Sequence, residues 1–224
     1  MTAESATGGA QVIPHIRNAL AVLGVAVATA AAQTTCQSAK RSITGGDIDL
    51  APLAGYVDIC AQDNPVCRTL TAGYPPSVST IGYFVLADEW RSFQQTPRGF
   101  TQYFIAQLAL GTSPGDFPGL KQYLHSQQGS IPDHTRLPAL LDSIGRVPLG
   151  VFDETDSSIS FGTIMRLQRR ETAAQLPMVA TNTAAVVKGH VLSLYAYRQF
   201  QTAADVDTTE QWTRTWLSCL RRAN

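Results

Sequence analysis

The stretch that decides the fold is MVATNTAAVVKGHVLSLYAY, residues Met178–Tyr197. Two runs rich in β-branched, alanine and aromatic residues lie on either side of Lys188 and Gly189. A glycine in the second position of a two-residue connection is what a type I′ hairpin turn requires. The stretch therefore predicts two antiparallel strands. A similar run at Ser158–Leu167 predicts a third strand before them, which completes an antiparallel meander.

The residues after the meander predict a long closing helix. Asp207 and Glu210 have the D-x-x-E spacing that approximates a capping box. Apolar residues then recur at helical spacing, which gives the helix one aromatic face. They are Trp212, Trp216, Cys219 and Leu220. We expect this face to pack on the sheet, because such a face is more often core than a ligand platform.

Further strands and helices are predicted upstream. Ile81–Leu86 is typical of a short strand, and Gly99–Leu110 of a buried strand, with a helix as the alternative. Helices are expected at Asp116–Gly129 and Leu137–Ile144, each with a proline near its start and a glycine at its end. The predicted fold class is α+β: an antiparallel sheet whose C-terminal meander packs against the closing helix, with helices covering the other face.

The composition argues against two classes of protein. Of the 224 residues, 44% are hydrophobic and 15% are charged, which is too much apolar material for a disordered chain. Lys plus Arg number 17 and Asp plus Glu number 17, so the formal net charge is zero. A neutral chain lacks the basic surface that phosphate backbones attract, so we expect no nucleic-acid partner. The sequence contains no cofactor motif, and we expect no cofactor.

An uncharged apolar run near the N-terminus predicts export. Asn18–Ala32 follows His15 and Arg17 and ends in three alanines, the layout of a secretory signal peptide. The run is shorter than the roughly 20 apolar residues that cross a bilayer as a helix, so we expect no stable membrane span after cleavage. An uncleaved anchor, a lipoprotein modified at Cys36 and a buried helix of the fold are the alternatives.

We expect three segments along the chain. Residues 1–32 form the signal peptide, residues 33–54 an extended N-terminal segment, and residues 55–224 a single α+β domain. The extended segment mixes Gly, Ser, Asp and Pro without the periodicity of a helix or a strand.

All four cysteines follow the predicted signal peptide, which favours disulfides over metal ligands. Cys60 and Cys67 enclose the turn-rich segment AQDNPV, which predicts a bond between them. A second bond would then join Cys36 to Cys219, and an unpaired, buried Cys219 is the alternative. No CxxC pair is present, so we expect no metal site.

One polar cluster has residue types suited to catalysis. His125, Ser130, Asp133 and His134 could supply an imidazole base, a hydroxyl and a carboxylate. These positions also lie at a helix end and in a Gly and Pro loop, where Ser and Asp are expected as caps and turn formers. No G-x-S-x-G elbow presents the serine, so the sequence favours a non-enzymatic protein.

Three sets of charged residues can be interpreted either as functional sites or as ordinary surface structure. Arg169 and Arg170 could form an anion patch, although a solvated hairpin connection explains them more simply. The acidic run Asp153–Asp156 could bind a hard cation, but it lacks calcium-loop spacing and is typical of a solvated turn. Asp88 and Glu89 are adjacent, so on a strand their side chains would face opposite ways and could not form an acid/base pair. We expect a strand edge or a turn there.

Two segments carry a resemblance to known proteins. FVLADEW, Phe84–Trp90, followed by a late meander and a long closing helix, resembles the PsbP-like group of α/β/α sandwich domains. Ala180–Tyr197 with the helix after it is similar to the C-terminal part of uncharacterised exported bacterial proteins. The resemblance implies the fold and an exported, accessory or binding character. It transfers no catalytic residue, and the segments Cys60–Cys67 and 111–157 depart from the group.

These features predict an exported, non-enzymatic binding or accessory protein that is periplasmic or secreted. Its partner would be another protein or a small ligand, bound on one face of the sheet. One alternative is a secreted hydrolase that uses the His/Ser/Asp cluster around residues 125–134. Another is a membrane-anchored domain that retains the N-terminal apolar segment.

Overall fold

The computed structural model describes residues 35–62, 64–127, 133, 136–168 and 175–224. The strands are β1 (Lys40–Ile43), β2 (Gly46–Asp49), β3 (Tyr56–Asp58), β4 (Val78–Leu86), β5 (Gln102–Ala109), β6 (Arg146–Thr155), β7 (Ser158–Gln168), β8 (Gln175–Val187) and β9 (His190–Gln199). The helices are α1 (Pro65–Thr71), α2 (Ala87–Gln95), α3 (Phe117–Gln127), α4 (Leu137–Ile144) and α5 (Ala204–Ala223). The predicted signal peptide lies outside the described residues and stays a prediction.

Seven strands form an antiparallel sheet in the order β3-β4-β5-β9-β8-β7-β6, and β1 pairs with β2 alone. Helix α5 packs on one face, which we call the α5 face. Helices α1, α2 and α3 contribute side chains to the hydrophobic clusters of the opposite face, which we call the groove face. The predicted α+β class is confirmed, including the closing helix on the meander.

The predicted hairpin is present at the centre of the meander. Val187 pairs with His190, and the two residues between them have positive φ angles, +46° at Lys188 and +77° at Gly189. A type I′ turn requires positive φ at both central positions, and glycine reaches this region without steric cost. Strands β7, β8 and β9 pair antiparallel in chain order, which is the predicted meander.

The aromatic face of α5 lies in the core, as its spacing predicts. Trp216 is 1% exposed and packs edge-on against Phe84 and Phe104. The predicted capping box is wrong, however, because α5 begins at Ala204, before Asp207. Asp205 takes the local role instead: its carboxylate accepts hydrogen bonds at 2.9 Å from two backbone N–H groups in the preceding loop.

The segment predicted to lack regular structure forms a β-hairpin. Thr44 and Gly45 form the turn between β1 and β2, and Ile48 and Leu50 after the turn are almost fully buried on the α5 face. The Leu50 carbonyl accepts a 2.8 Å hydrogen bond from Trp216 Nε1. Polar residues alternate with these few apolar ones, and such short strands gain their stability from tertiary packing rather than from local propensity.

Helices α1 and α2 and strands β3 and β6 were not predicted either. Helix α2 begins directly where β4 ends, so Asp88 and Glu89 lie in its first turn and not on a strand edge or turn. Helix α1 is short and contains Cys67. The acidic run expected as a solvated turn begins inside β6, whose alternation is interrupted by register shifts at Pro148/Gly150 and Val151/Asp153.

The two predicted helices of the middle region are present as α3 and α4. Helix α4 has the expected bounds, with a proline in its first turn and Gly145 in the left-handed region at φ 70°. The expected N-cap of α3 is wrong, because Asp116 ends a short 3₁₀ turn that Ser113 caps. The expected terminator Gly129 lies outside the described residues.

Candidate ligand-binding groove

Tyrosines from three neighbouring strands meet on the groove face. Tyr83 lies on β4, Tyr103 on β5, and Tyr195 and Tyr197 on β9. Tyr103 is directly opposite Tyr197 in the β5–β9 register, so both side chains point to the same face. We call these four residues the tyrosine row.

The rings of the tyrosine row stack on one another. Ring centroids are 5.4 Å apart for Tyr83 and Tyr103, 4.6 Å for Tyr103 and Tyr197, and 6.3 Å for Tyr195 and Tyr197. The interplanar angles are 13°, 17° and 20°. These spacings are those of favourable aromatic pairs. The row is therefore a continuous aromatic surface across three strands.

Two cavities adjoin this row. The first, of about 170 Å³, is lined by Tyr83 and Tyr103 together with apolar side chains and Arg98. The apolar side chains are Leu70, Phe93, Phe100, Leu167, Leu176 and Met178. The second, of about 230 Å³, is lined by Tyr195 and Tyr197 and by the Tyr74–Pro75 segment. Because Tyr103 stacks on Tyr197, the two cavities are linked through the row, and we call the whole surface the groove.

The hydroxyl groups of the row, on the buried Tyr83 and on the half-buried Tyr103 and Tyr197, have no hydrogen-bond partner in the described part of the chain. Tyr83 is only 5% exposed, yet among the described residues its hydroxyl and those of Tyr103 and Tyr197 form no hydrogen bond. Burial raises the pKa of Tyr83 and Tyr103 well above the usual range, and neighbouring tyrosines raise it further. The phenols therefore stay neutral at physiological pH and remain able to donate to a ligand acceptor.

A disulfide positions one wall of the groove. Cys60 and Cys67 lie 5.3 Å apart between Cα atoms, as the sequence predicts. The Asn64 side chain caps the first turn of α1 at Val66 N, and Leu70 at the far end of α1 lines the first cavity. The short cross-link thus fixes the start of a helix that is itself too short to be stable alone.

Hydrogen bonds to the Asp58 carboxylate connect that wall to the tyrosine row. The Asp58 carboxylate accepts hydrogen bonds from the N–H groups of Cys60, at 2.8 Å, and Tyr83, at 3.2 Å. Arg41 of β1 forms an ion pair with the same carboxylate and also donates to Ile81 O at 2.9 Å. One carboxylate therefore anchors both the disulfide segment and the first tyrosine.

The second pair of cysteines lies on the α5 face. The Cα atoms of Cys36 and Cys219 are 6.0 Å apart, and the two residues form a disulfide although they are 183 positions apart in the sequence. All four cysteines are paired, so Cys219 is not the unpaired thiol of the alternative interpretation. This bond ties the start of the described chain to the last turns of α5.

The structure places only part of the predicted polar cluster. His125 lies on α3, and its Nε2 is 2.9 Å from the Glu154 carboxylate. Lys121 Nζ is 2.7 Å from the same carboxylate, and hydrogen bonds from Lys121 and then His125 keep the pKa of Glu154 below its usual value. Ser130 and His134 lie outside the described residues, so the cluster with Asp133 stays a prediction.

The predicted ion sites have separate outcomes. The Glu154 carboxylate, which the sequence offers as a hard-cation ligand, instead contacts the side chains of Lys121 and His125. Within the described residues no group of three His, Cys, Asp or Glu is placed to hold a metal ion. Arg169 and Arg170 lie outside the described part of the chain.

Sequence reasoning missed both the tyrosine row and Arg98. The spacing of Tyr195 and Tyr197 is a visible signal, because residues two apart on a strand share a face. Strand register decides which tyrosines of β4 and β5 lie beside this pair, and the sequence did not specify that register. Arg98 lies in the connection between α2 and β5, and only the tertiary fold brings it to the first cavity.

Comparisons of the chain with protein-family models, curated proteins and solved structures find no match in any of the three. The resemblance to PsbP-like domains therefore stays a prediction. Among the described helices, none is both long and apolar enough to span a bilayer.

Proposed function

We propose that this protein is an exported, non-enzymatic binding protein, periplasmic or secreted, that holds a small ligand in the groove. The observation that carries the proposal is the tyrosine row: stacked rings, one buried and the others half-buried, whose hydroxyls have no hydrogen-bond partner among the described residues. Buried polar groups are hydrogen-bonded in the large majority of native structures, and exceptions call for an explanation. A bound ligand that accepts from these phenols supplies one.

The disulfides support the export part of the proposal. Disulfides form and persist in oxidising compartments and are rare in the cytoplasm. Both pairs lie in the part of the chain that follows the predicted signal peptide. Export predicts a mature protein that begins near Gln33, which a mass spectrum of the protein purified from its own host would show. A full-length mass with thiols open to alkylation would contradict export.

The cavities set the size of the ligand. At about 170 and 230 Å³, each is smaller than the ligand pockets of about 300–1,000 Å³ that hold drug-sized molecules. The groove therefore suits a ligand with one or two fused rings, laid flat on the tyrosine row. Stacking on a tyrosine ring and donation from a phenol would orient such a ring.

Binding of a neutral two-ring probe, 2-naphthylmethanol, tests the proposal by ligand-observed NMR titration. Replacing Tyr103 with Leu removes the central ring and should weaken binding about two- to tenfold, since an aromatic pair contributes about 0.5–1.5 kcal/mol. Tyr123→Leu is the matched control, because Tyr123 is 59% exposed on α3 and lines neither cavity. Equal affinities of the two variants, or no saturable binding to the native protein, would refute the proposal.

A further inference from the structure

We propose that the groove selects a ring-bearing carboxylate, with Arg98 as the group that pairs with its negative charge. This inference rests on the proposed function and goes on to name the class of ligand. It combines three features of the first cavity: an apolar floor, two phenol donors, and an arginine with no carboxylate partner among the described residues.

Arg98 is an exposed cation at this cavity. It lies in the connection between α2 and β5, and among the described residues it forms no ion pair and no hydrogen bond. Many other arginines of the chain do hold a carboxylate. They are Arg41, Arg91, Arg166, Arg198 and Arg214. A guanidinium presents a planar pair of donors that matches a carboxylate, so Arg98 is available for a carboxylate from outside the chain.

Two acidic residues lie near Arg98 but are already engaged. Asp88 and Glu89 line an adjoining cavity of about 370 Å³, which Arg98 also lines. Asp88 pairs with Arg91, and the Glu89 carboxylate accepts from both the hydroxyl and the backbone N–H of Thr101. Neither carboxylate takes Arg98. Their negative charge weakens the positive potential there, so selection for an anion should be several-fold rather than many orders of magnitude.

The rest of the cavity specifies what carries the charge. Phe93, Phe100 and Met178 give an apolar floor that favours a ring or a compact hydrocarbon body. Tyr83 and Tyr103 line the same cavity with neutral hydroxyls that can donate to an acceptor but cannot neutralise a cation. An ammonium ligand would meet Arg98 unfavourably. The combination therefore fits an apolar ring with a carboxylate group.

The test compares two probes that share the naphthalene ring: the anion 2-naphthoate and the neutral alcohol 2-naphthylmethanol. Both are titrated by ligand-observed NMR against the native protein, Arg98→Gln and the control Arg146→Gln. Arg146 is also exposed and forms no ion pair among the described residues, but it lines none of the three cavities. We expect Arg98→Gln to weaken naphthoate binding about three- to tenfold and to leave the alcohol within about twofold.

The outcomes separate this inference from the proposed function. If Arg98→Gln and Arg146→Gln bind naphthoate equally well, charge selection by Arg98 is overturned, while an effect of Tyr103→Leu on both probes would keep the groove itself. If Tyr103→Leu affects neither probe, the groove proposal is overturned and this inference with it. Thermal unfolding of each variant establishes that it is folded, which the exposed position of Arg98 favours.

Discussion

The α5 face and the groove face both bury aromatic rings and hydroxyl groups, yet they pair those hydroxyls differently. On the α5 face, Thr181 and Thr213 share a 2.6 Å hydrogen bond, and Ser160 and Thr183 share one of 2.7 Å. Trp216 donates its indole N–H to a carbonyl there as well. On the groove face, the phenols of the tyrosine row have no such partners among the described residues.

This difference in hydroxyl pairing distinguishes a face that serves stability from a face suited to binding. A buried polar group left unpaired costs about 1–3 kcal/mol, and a fold under selection for stability alone would pair it or replace it with phenylalanine. The α5 face follows that rule. A groove face that breaks the rule at stacked rings beside two cavities is the pattern expected of a binding site.

The largest expected difference between the faces comes from their disulfides. The Cys36–Cys219 bond on the α5 face spans 183 residues, and the Cys60–Cys67 bond on the groove side spans 7. A cross-link removes more entropy from the unfolded chain when its loop is longer. Replacing both cysteines of the long bond with alanine should lower the free energy of unfolding by about 5 kcal/mol, against about 2 kcal/mol for the short bond.

Urea unfolding of the two double variants measures these losses, and probe binding should show the reverse order. Loss of the Cys60–Cys67 bond releases α1, which lines the first cavity through Leu70, so naphthylmethanol binding should weaken. Loss of the Cys36–Cys219 bond should leave binding intact below the unfolding transition. A binding loss confined to the α5-face variant would contradict the division between the faces.

The second largest difference concerns tryptophans. Trp216 is fully packed on the α5 face, and Trp216→Ala should lower the free energy of unfolding by about 3–5 kcal/mol. Trp90 on α2 is only half-buried, so Trp90→Ala should cost less than about 3 kcal/mol. Chemical denaturation of both variants provides the comparison. A loss below about 1 kcal/mol for Trp216→Ala would mean that the α5 face is not core.

The contrast between faces also explains what the sequence could predict. The α5 face is built from elements with strong periodicity: the hairpin at Lys188–Gly189 and the apolar spacing of α5 around Trp216. Local pattern and tertiary packing agree in these elements, so the meander and the closing helix could be predicted from the residues. The β1–β2 hairpin of the same face has no such pattern and was not predicted. On the groove side, the turn-rich segment between Cys60 and Cys67 was enough to predict their disulfide.

The groove face depends on contacts that no local pattern records. Tyr83 and Tyr103 come from strands whose pairing and register are set by the whole sheet. Helices α1 and α2 form its walls. Both are short, and short helices gain their stability mostly from tertiary packing. The sequence shows each tyrosine but not that the tyrosines lie side by side, so the candidate site was missed.

A third difference isolates single hydroxyl groups. Thr213→Val removes one partner of the buried Thr181 hydroxyl and should lower the free energy of unfolding by about 1 kcal/mol. Tyr103→Phe removes a hydroxyl that has no protein partner among the described residues, so stability should change by less than about 0.5 kcal/mol or increase. Urea unfolding at neutral pH distinguishes them. A loss for Tyr103→Phe as large as that for Thr213→Val would show that the phenol is satisfied within the protein.

The smallest difference is expected in alkaline solution. Burial raises the native-state pKa of Tyr103, whereas in the unfolded chain a tyrosine ionises near pH 10. The native state then binds more protons than the unfolded state above that pH, so the stability that this group contributes is complete below about pH 10 and is lost as the pH rises. Between neutral pH and about pH 10.5, the native protein should therefore lose more stability than Tyr103→Phe does, by up to about 1 kcal/mol.

Tyr123→Phe serves as the control for this measurement, because Tyr123 is exposed on α3 and its loss should leave the alkaline slope as in the native protein. If Tyr103→Phe follows the native protein too, the Tyr103 phenol ionises in the folded state as readily as in the unfolded one. Water would then reach the tyrosine row freely, its hydroxyls would be solvated rather than unpaired, and the groove face would lose the property that distinguishes it from an ordinary sheet surface.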